Sequence, residues 1–175
     1  MQRAPNPVFR ATETARILVA SQAPGNLADR SSRPFADPSG VRLRNWMGVN
    51  EEEFYDESRV AIVPMGFCFP GYDAKGGDLP PMKACAPHWR AGLLERMPQI
   101  ELVLAIGGYA QSWHLGASRP KTLTDTVKQW RTFLDEQGVL PTPHPSWRNN
   151  GWLKRHPWFE AEVLPVLRER VRALL

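Results

Sequence analysis

The sequence is poor in cysteine and has no long apolar run. Only 2 of its 175 residues are cysteines, Cys68 and Cys85, so a disulfide framework is not expected. No stretch of about 18 consecutive apolar residues occurs, so no membrane-spanning helix is predicted. Residues 1–13 are polar and interrupted by proline, which is not typical of a signal peptide. We therefore expect a cytoplasmic protein by default, with no membrane partner. A monomer is expected as well, although these absences do not bear on it.

Proline, glycine and a small excess of positive charge are what the chain does contain. Its 17 prolines and 13 glycines predict several ordered loops, and loops often carry binding sites. The formal net charge of +4 is a mild bias toward polyanions. Residues 137–159 contain no acidic residue, and basic residues alternate there with aromatic ones, as in nucleic-acid surfaces. A solvated helix flank beside core tryptophans explains the same residues equally well: Arg148, Lys154, Arg155, Trp147, Trp152 and Trp158.

Four short apolar runs are typical of strands that are buried on both faces of a parallel sheet. They cover residues 17–21, 60–63, 102–106 and 139–141. Helical patterns alternate with them, and this alternation predicts a three-layer α/β/α sandwich with a central four-stranded parallel sheet. The length suits one domain over residues 1–175.

Several residues predict where the helices begin and end. Ser39 is a candidate cap for a helix that ends at Met47, and another helix should cover residues 84–97. Thr122 and Asp125 resemble a capping box for a helix that should run to Gln137, where Gly138 suits the end. Residues 157–175 should form an amphipathic segment that Pro165 kinks or splits.

Ligands of open α/β sheets bind at the carboxyl ends of the strands. That rule selects four loops, which cover residues 22–39, 65–81, 107–108 and 143–150. In the last loop His144 lies between two prolines, an arrangement suited to presenting an imidazole, although a structural histidine is an equal alternative. We expect the site to be built from these four loops.

Four segments, taken in order, resemble the signature motifs of the uracil-DNA glycosylase superfamily. Residues 21–25 (Ser-Gln-Ala-Pro-Gly) are similar to the Gly-Glu-Ala-Pro-Gly motif of the iron–sulfur families 4 and 5. Residues 33–40 contain the Arg-Pro-Phe and Asp-x-Ser-Gly segments that follow it there. Residues 102–110 resemble the strand and Gly-Tyr-Ala turn of those families. Residues 144–146 resemble the superfamily's His-Pro-Ser motif.

The resemblance implies a monofunctional glycosylase of DNA base-excision repair, which flips a base out of DNA and hydrolyses its N-glycosidic bond. The implied partner is DNA containing uracil or another deaminated base, and free uracil is the product. Phe35 would stack on the flipped base, the backbone of Gln22 and Ala23 would bind its carbonyl edge, and His144 would donate a hydrogen bond to its O2. The residues implied to contact DNA are Pro24, Gly25, Gly108, Ser146, Trp147, Arg148 and Asn149.

The anion that should stabilise the sugar cation and orient water is less obvious. In related enzymes the first motif carries a carboxylate where Gln22 or Ala23 stands here. Gln22 could position water, but an amide is a poor base. Asp37 resembles the aspartate of the family 5 Asp-x-Ser-Gly segment, so we assign it this role, with Asp29 as the reserve. The alternative is that Asp37 only caps the helix that begins near Ser39.

Base readout differs from the family pattern as well. Many uracil enzymes have an asparagine near the position of Pro64, which Met65 and Gly66 follow in this chain. We therefore expect readout from the backbone of Met65 and Gly66 or from another loop. Uracil is the leading substrate, and hypoxanthine and xanthine stay open.

The cysteines depart from the iron–sulfur families. Cys68 and Cys85 resemble the later pair of cluster ligands, but residues 1–20 contain no counterpart of the earlier pair. Two thiolates cannot hold a cluster that needs four ligands. A zinc site with His88 lacks a fourth ligand nearby. We predict no metal and no cofactor, and we expect residues 66–81 to cover the base pocket instead.

Two other functions compete with glycosylase activity. A non-catalytic binder of uracil-containing or abasic DNA is supported by the missing carboxylates of the first motif. Unrelated chemistry on a small phosphorylated metabolite would require a phosphate loop such as Gly-x-x-x-x-Gly-Lys-Ser, which the sequence lacks.

Overall fold

The computed structural model describes residues 4–175 and has a parallel four-stranded sheet at its centre. The strands are β1 (Ile17–Ala20), β2 (Val60–Ile62), β3 (Leu102–Ile106) and β4 (Val139–Thr142), in the order β2-β1-β3-β4. In register, Ile17 pairs with Val60 on one side and with Leu102 on the other, and Val103 pairs with Val139. The four predicted strands and their parallel arrangement are confirmed.

Helices connect the strands and lie on both faces of the sheet. Their bounds are α1 (Asn26–Ser31), α2 (Pro38–Met47), α3 (Glu51–Phe54), α4 (Ala91–Glu95), α5 (Gly107–Leu115), α6 (Leu123–Lys128), α7 (Trp130–Gln137), α8 (Asn150–Arg155) and α9 (Leu164–Leu174). Two π-helical turns, Ala86–Arg90 and Phe159–Val163, lead into α4 and α9. Two 3-10 turns cover Gly116–Ser118 and Trp147–Asn149. Among the described helices, none combines the length and hydropathy that a bilayer span requires.

Alternating side chains of the strands form a core on each face of the sheet. In β1, Ile17 and Val19 pack in a cluster with residues of α2, α6 and α9. Leu18 and Ala20 pack in a second cluster with residues of α5 and of the turn Ala86–Arg90. The two clusters on opposite faces make the three-layer α/β/α arrangement that the sequence predicts.

The helix ends follow the predicted signals with two corrections. The Thr122 hydroxyl accepts a hydrogen bond from the Asp125 N–H, and Gly138 ends α7 with a φ of 66°, as predicted. The cap of α2 is Asp37 rather than Ser39, because Pro38 occupies the first helical position and the residue before it becomes the cap. The helix expected over residues 122–137 is interrupted at Gln129.

The strand order places a crevice between the ends of β1 and β3. From β1 the chain moves outward to β2, and from β3 it moves outward in the opposite direction to β4. Such a reversal leaves the loops after β1 and β3 diverging, which opens a space at the carboxyl edge of the sheet. The Gln22 loop and the start of α5 therefore flank one crevice.

Candidate active site

A cavity of about 860 Å³ occupies this crevice. It is lined by residues from all four loops that the sequence selected, including Gln22, Asp78, Gly108 and His144. The cavity is large enough for a nucleotide-sized ligand, since small-molecule sites are commonly about 300–1,000 Å³. The four loops that the sequence selected thus contribute residues to one cavity.

The turn after β1 is fixed by the loop after β2. The carbonyl of Ser21 accepts a hydrogen bond of 2.7 Å from the Met65 N–H, and the Gln22 carbonyl accepts one of 2.9 Å from the Gly66 N–H. The Gln22 side-chain amide donates to the Leu79 carbonyl at 3.3 Å. Gln22 and Ala23 both line the cavity, and the Gln22 amide also ties the turn to the loop that covers it.

Phe35 is held in an uncommon backbone conformation at the cavity wall. Its φ is 56°, a left-handed value that bulky residues rarely adopt. The ring is 9% exposed and contacts Phe54 edge to face, with 6.2 Å between centroids. A Cβ on Gly40 would lie 1.8 Å from the Phe35 carbonyl oxygen, so this backbone path requires glycine at position 40. Strain of this kind persists where surrounding contacts enforce it, often at functional sites.

His144 has a defined tautomer. The Ser146 N–H donates to His144 Nδ1 at 3.2 Å, so Nδ1 carries no proton and the neutral ring carries its proton on Nε2. The Asn149 side-chain amide donates to the His144 carbonyl at 2.7 Å, which fixes the loop around the ring. The imidazole therefore offers one N–H donor, as a group that stabilises a developing anion should.

The surroundings keep this imidazole neutral. Burial lowers the pKa of His144 below its ordinary value, because the charged form loses water. The carboxylates of Asp37 and Asp78 oppose the shift, and the Arg148 guanidinium adds to it. At neutral pH, His144 is a neutral hydrogen-bond donor.

Asp37 caps α2 and lines the cavity at the same time. Its Oδ1 accepts a hydrogen bond of 3.0 Å from the Gly40 N–H, so the capping alternative is realised. Its Oδ2 lies 3.9 Å from the position that a Cβ on Gly25 would take, and so faces the first motif. One oxygen serves the helix, and the other lies beside the turn of the cavity.

Two predicted base contacts and the reserve acid lie elsewhere. Met65 is 6% exposed and lines a second cavity, and Gly66 packs against Pro81. Neither lines the main cavity, because the chain turns away after Pro64, which does line it. Asp29 is a buried residue of α1 that does not line the main cavity, and its carboxylate accepts a hydrogen bond from the Asn6 amide. The reserve role of Asp29 is therefore not supported.

Sequence reasoning missed Asp78 and the fold of its loop. Asp73 Oδ1 accepts hydrogen bonds from the N–H groups of Lys75 and Gly77, and Tyr72 pairs with Asp78. This closed turn brings Tyr72 and Asp78 to the cavity, as expected for a covering loop. The aspartate followed four residues later by glycine was the available signal, since side chains of aspartate often cap their own turns.

The residues predicted to contact DNA gather at the cavity mouth. Pro24, Gly25 and Gly108 line it, together with the segment Ser146–Asn149. Trp147 is 73% exposed, and the Arg148 guanidinium lies 5.9 Å from its ring centroid. Arg42, which the sequence analysis did not select, donates to the Ser146 carbonyl at 3.1 Å.

The basic and aromatic stretch divides between surface and core. Trp147 is exposed, but Trp152 donates from its indole nitrogen to Thr124 and packs with Trp158 against the core. Lys154 and Arg155 are exposed. One tryptophan thus forms part of the surface, and the other two are structural.

The cysteines do not form a ligand set. Both are free, and the Cys85 thiol accepts a hydrogen bond from the Phe67 N–H. Within residues 4–175 no group of three or more His, Cys, Asp or Glu side chains could hold a metal ion. The residues present do not fit an iron–sulfur cluster, which needs four ligands.

A family model covers nearly the whole chain. The model of the uracil DNA glycosylase superfamily matches residues 9–168, from before β1 into α9. The chain belongs to the uracil DNA glycosylase superfamily. Membership makes it a DNA glycosylase, a hydrolase of base-excision repair, and the motif resemblance to the superfamily is confirmed.

The fold has a solved relative. The solution NMR structure of a Methanosarcina acetivorans protein, proposed to be a uracil DNA glycosylase, matches with a TM-score of 0.50 and 18% sequence identity. The match covers 91% of this chain and 92% of that one. The two proteins therefore share this fold.

Proposed function

We propose that the protein hydrolyses the N-glycosidic bond of uracil in DNA and leaves an abasic site. The observation that carries this proposal is the neutral His144, whose Nε2–H donor belongs to the same cavity as Phe35 and Asp37. Such a cavity provides an aromatic wall for a flipped base, a donor for its carbonyl and a carboxylate for the sugar. These are the three groups that hydrolysis through an oxocarbenium-like state needs.

The reaction balances with water as the only co-reactant. The bond between N1 of the base and C1′ breaks, and its electron pair leaves with the pyrimidine. His144 Nε2–H stabilises the negative charge that develops on O2. The Asp37 carboxylate stabilises the positive sugar and orients the water whose oxygen bonds to C1′. The proton that the water loses balances the one that the free base takes up.

The lining of the cavity favours water over an amine as the nucleophile. Glycosylases that also cleave the strand use an amine to form a Schiff base. Among the described residues that line the cavity, none is a lysine. We therefore propose a monofunctional enzyme, whose products are free uracil and abasic DNA.

The cavity mouth provides the DNA contacts. Arg148 adds charge, and Ser146 lies beside His144, where a phosphate next to the flipped nucleotide would lie. The exposed ring of Trp147 is suited to fill the gap in the stack. Flipping costs a few kcal/mol of stacking and pairing, which these contacts offset.

The decisive test is uracil release from defined oligonucleotides. Wild-type protein should release free base from uracil-containing DNA, and His144→Ala should slow single-turnover release by roughly a hundredfold or more. His88→Ala is a matched control, because His88 is exposed and does not line the cavity. Parallel substrates with hypoxanthine or xanthine report base preference. Binding of uracil-containing DNA without release would instead establish a non-catalytic binder.

A further inference from the structure

A second cavity adjoins the first. It measures about 280 Å³, and Tyr109 at the start of α5 lines both cavities. The two are therefore neighbours along one surface. The second cavity is lined by Met65, Pro81, Met82, Lys83, Ala86, Pro87, Tyr109, Ser112 and Trp113.

Exposed aromatic rings form one side of this second cavity. Tyr109 and Trp113 are four residues apart on α5, so they lie on the same face of the helix, one turn apart. They are 48% and 37% exposed, and Met82, which also lines this cavity, is 74% exposed. Aromatic faces of this kind are platforms on which unpaired bases stack, whatever their sequence.

The Trp113 ring is supported from the protein side. The buried Arg90 guanidinium lies 5.8 Å from its centroid, within the range of a cation–π contact. Arg90 is itself anchored, because its Nε donates to the Val63 carbonyl at 3.3 Å. The platform is thus attached to the end of β2 and is preorganised for a ligand.

The charges around the second cavity fit a polyanion. Among the described residues that line the second cavity, Lys83 is the one charged residue, and none carries a carboxylate. Arg119 Nη1 donates to Ser112 Oγ at 2.9 Å. Arg119 Nη2 lies 3.6 Å from where a Cβ on Gly108 would be, so the guanidinium reaches from the second cavity toward the first. No carboxylate in residues 4–175 forms an ion pair with Arg119.

We propose that the second cavity is a subsite for the nucleotide next to the flipped one in single-stranded DNA. The neighbouring base stacks on Tyr109 and Trp113, and the Arg119 guanidinium contacts the phosphate between the two nucleotides. A base that is paired in a duplex stays within its own stack, so the subsite is filled only when the neighbour is unpaired. This inference rests on the proposed function, because the first cavity must take the flipped nucleotide.

The test measures how much the neighbouring base contributes to binding. The probe is a single-stranded oligonucleotide with 2′-fluoro-deoxyuridine, whose fluorine disfavours the sugar cation and so prevents cleavage. Two further probes replace the base on the 5′ side or on the 3′ side by an abasic tetrahydrofuran. We expect one of these replacements to weaken binding by about tenfold, the size of one lost stacking contact. In duplex probes the same replacement should have no such effect.

Variants of Trp113 test whether the second cavity causes the weaker binding of probes that lack the neighbouring base. Trp113→Ala should bind the intact probe about tenfold more weakly and should no longer distinguish it from the abasic one. Trp113→Phe keeps a stacking face and should retain the distinction, which covers the case that the alanine variant folds poorly. Trp89→Ala is the control, because Trp89 is 63% exposed but lines neither cavity.

The phosphate contact of Arg119 is tested separately, through the salt dependence of binding. Arg119→Ala should weaken binding uniformly across sequences and reduce the slope of affinity against salt by about one phosphate contact. Arg170→Ala is the matched control, since Arg170 lies on α9, lines neither cavity and forms an ion pair with the exposed Asp135. An unchanged salt slope for Arg119→Ala would contradict the phosphate contact.

The outcomes separate this inference from the proposed function. If neither abasic neighbour weakens binding, or if Trp113→Ala keeps the distinction, the subsite does not exist, even when wild-type protein releases uracil. If wild-type protein releases no base from any substrate, the proposed function fails. The neighbour effect on the uncleavable probe would still show a single-strand subsite in that case.

Discussion

The ring centroids of His144 and Phe35 lie 6.5 Å apart across the cavity wall, with their planes inclined by 30°. This separation is within the range of offset aromatic pairs, so each ring restrains the orientation of the other. Ser146 fixes the tautomer of His144, and Gly40 permits the backbone of Phe35. His144, the proposed hydrogen-bond donor to the base, and Phe35, the proposed stacking partner of the base, are thus positioned together.

The pH profile of cleavage should reflect the neutral imidazole. Burial lowers the pKa of His144, so the active neutral form persists as pH falls below about 6.5, the ordinary value for histidine. Single-turnover rates should stay level through that pH and fall only at lower pH, when protonated Nδ1 can no longer accept from Ser146. A rate that halves near pH 6.5 would contradict this assignment.

Asp37→Asn should separate capping from catalysis. Asparagine caps helices as well as aspartate does, so the melting temperature should change little, whereas loss of the charge should slow cleavage by about a hundredfold. The matched control is Asn50→Ala, which removes the cap of α3. It should cost about 1 kcal/mol of stability and leave the rate per folded molecule unchanged. Full activity of Asp37→Asn would show that the carboxylate has no part in the reaction.

Gly40→Ala should disturb the site through the backbone. The added Cβ would overlap the Phe35 carbonyl oxygen at 1.8 Å, so either Phe35 or α2 must move. We expect a lower melting temperature and a large loss of cleavage. Gly92→Ala in α4 has nothing within 4 Å of the new Cβ and should stabilise the protein by about 0.5–1 kcal/mol. Similar effects of the two substitutions in thermal unfolding would contradict the close approach.

The protein should become less stable as the pH decreases, because of His114. Burial and then the charge of Arg90 lower the pKa of His114 to about 3, and its Nε2 accepts from Arg90 Nη2 at 2.8 Å. Below about pH 6.5 the unfolded chain binds a proton that the folded one does not, so stability is lost as pH falls toward about 3. Urea unfolding across this range should show the loss.

A variant isolates the His114 contribution. His114→Gln keeps an oxygen acceptor for Arg90 but cannot take up a proton, so its stability should decline less steeply with falling pH. His88→Gln removes an exposed histidine instead and should follow the wild-type curve. Parallel curves for wild type and His114→Gln would refute the assignment.

Local patterns predicted what depends on local physics. The strands were recognisable because a parallel strand buried on both faces reads as a short apolar run, as residues 102–106 do. Thr122 and Gly138 were recognisable because capping joins neighbours in the sequence. Ser39, the first candidate for the cap of α2, lies two residues too late. The alternative cap, Asp37, is the one realised, and Pro38 marks the first helical position.

The contents of the cavity depended on distant contacts. Met65 and Gly66 were expected at the base because they follow β2, but their N–H groups bond to Ser21 and Gln22, and the chain leaves the cavity there. Asp78 reaches the cavity because the Gln22 amide binds the Leu79 carbonyl across 57 positions. The Asp73–Gly77 spacing is a local signal for the closed turn, but no local pattern places that turn against Gln22.

The order of elements, and so which loops share one edge of the sheet, was determined by the sequence itself, because hydrophobic periodicity and chain connection are local properties. The tertiary structure decided which side chains meet there and in what protonation state. Burial of the His144 ring beside Phe35 and Asp37 arises only when the loop after β1 and the loop after β4 come together. Desolvation and charge act through space rather than along the chain.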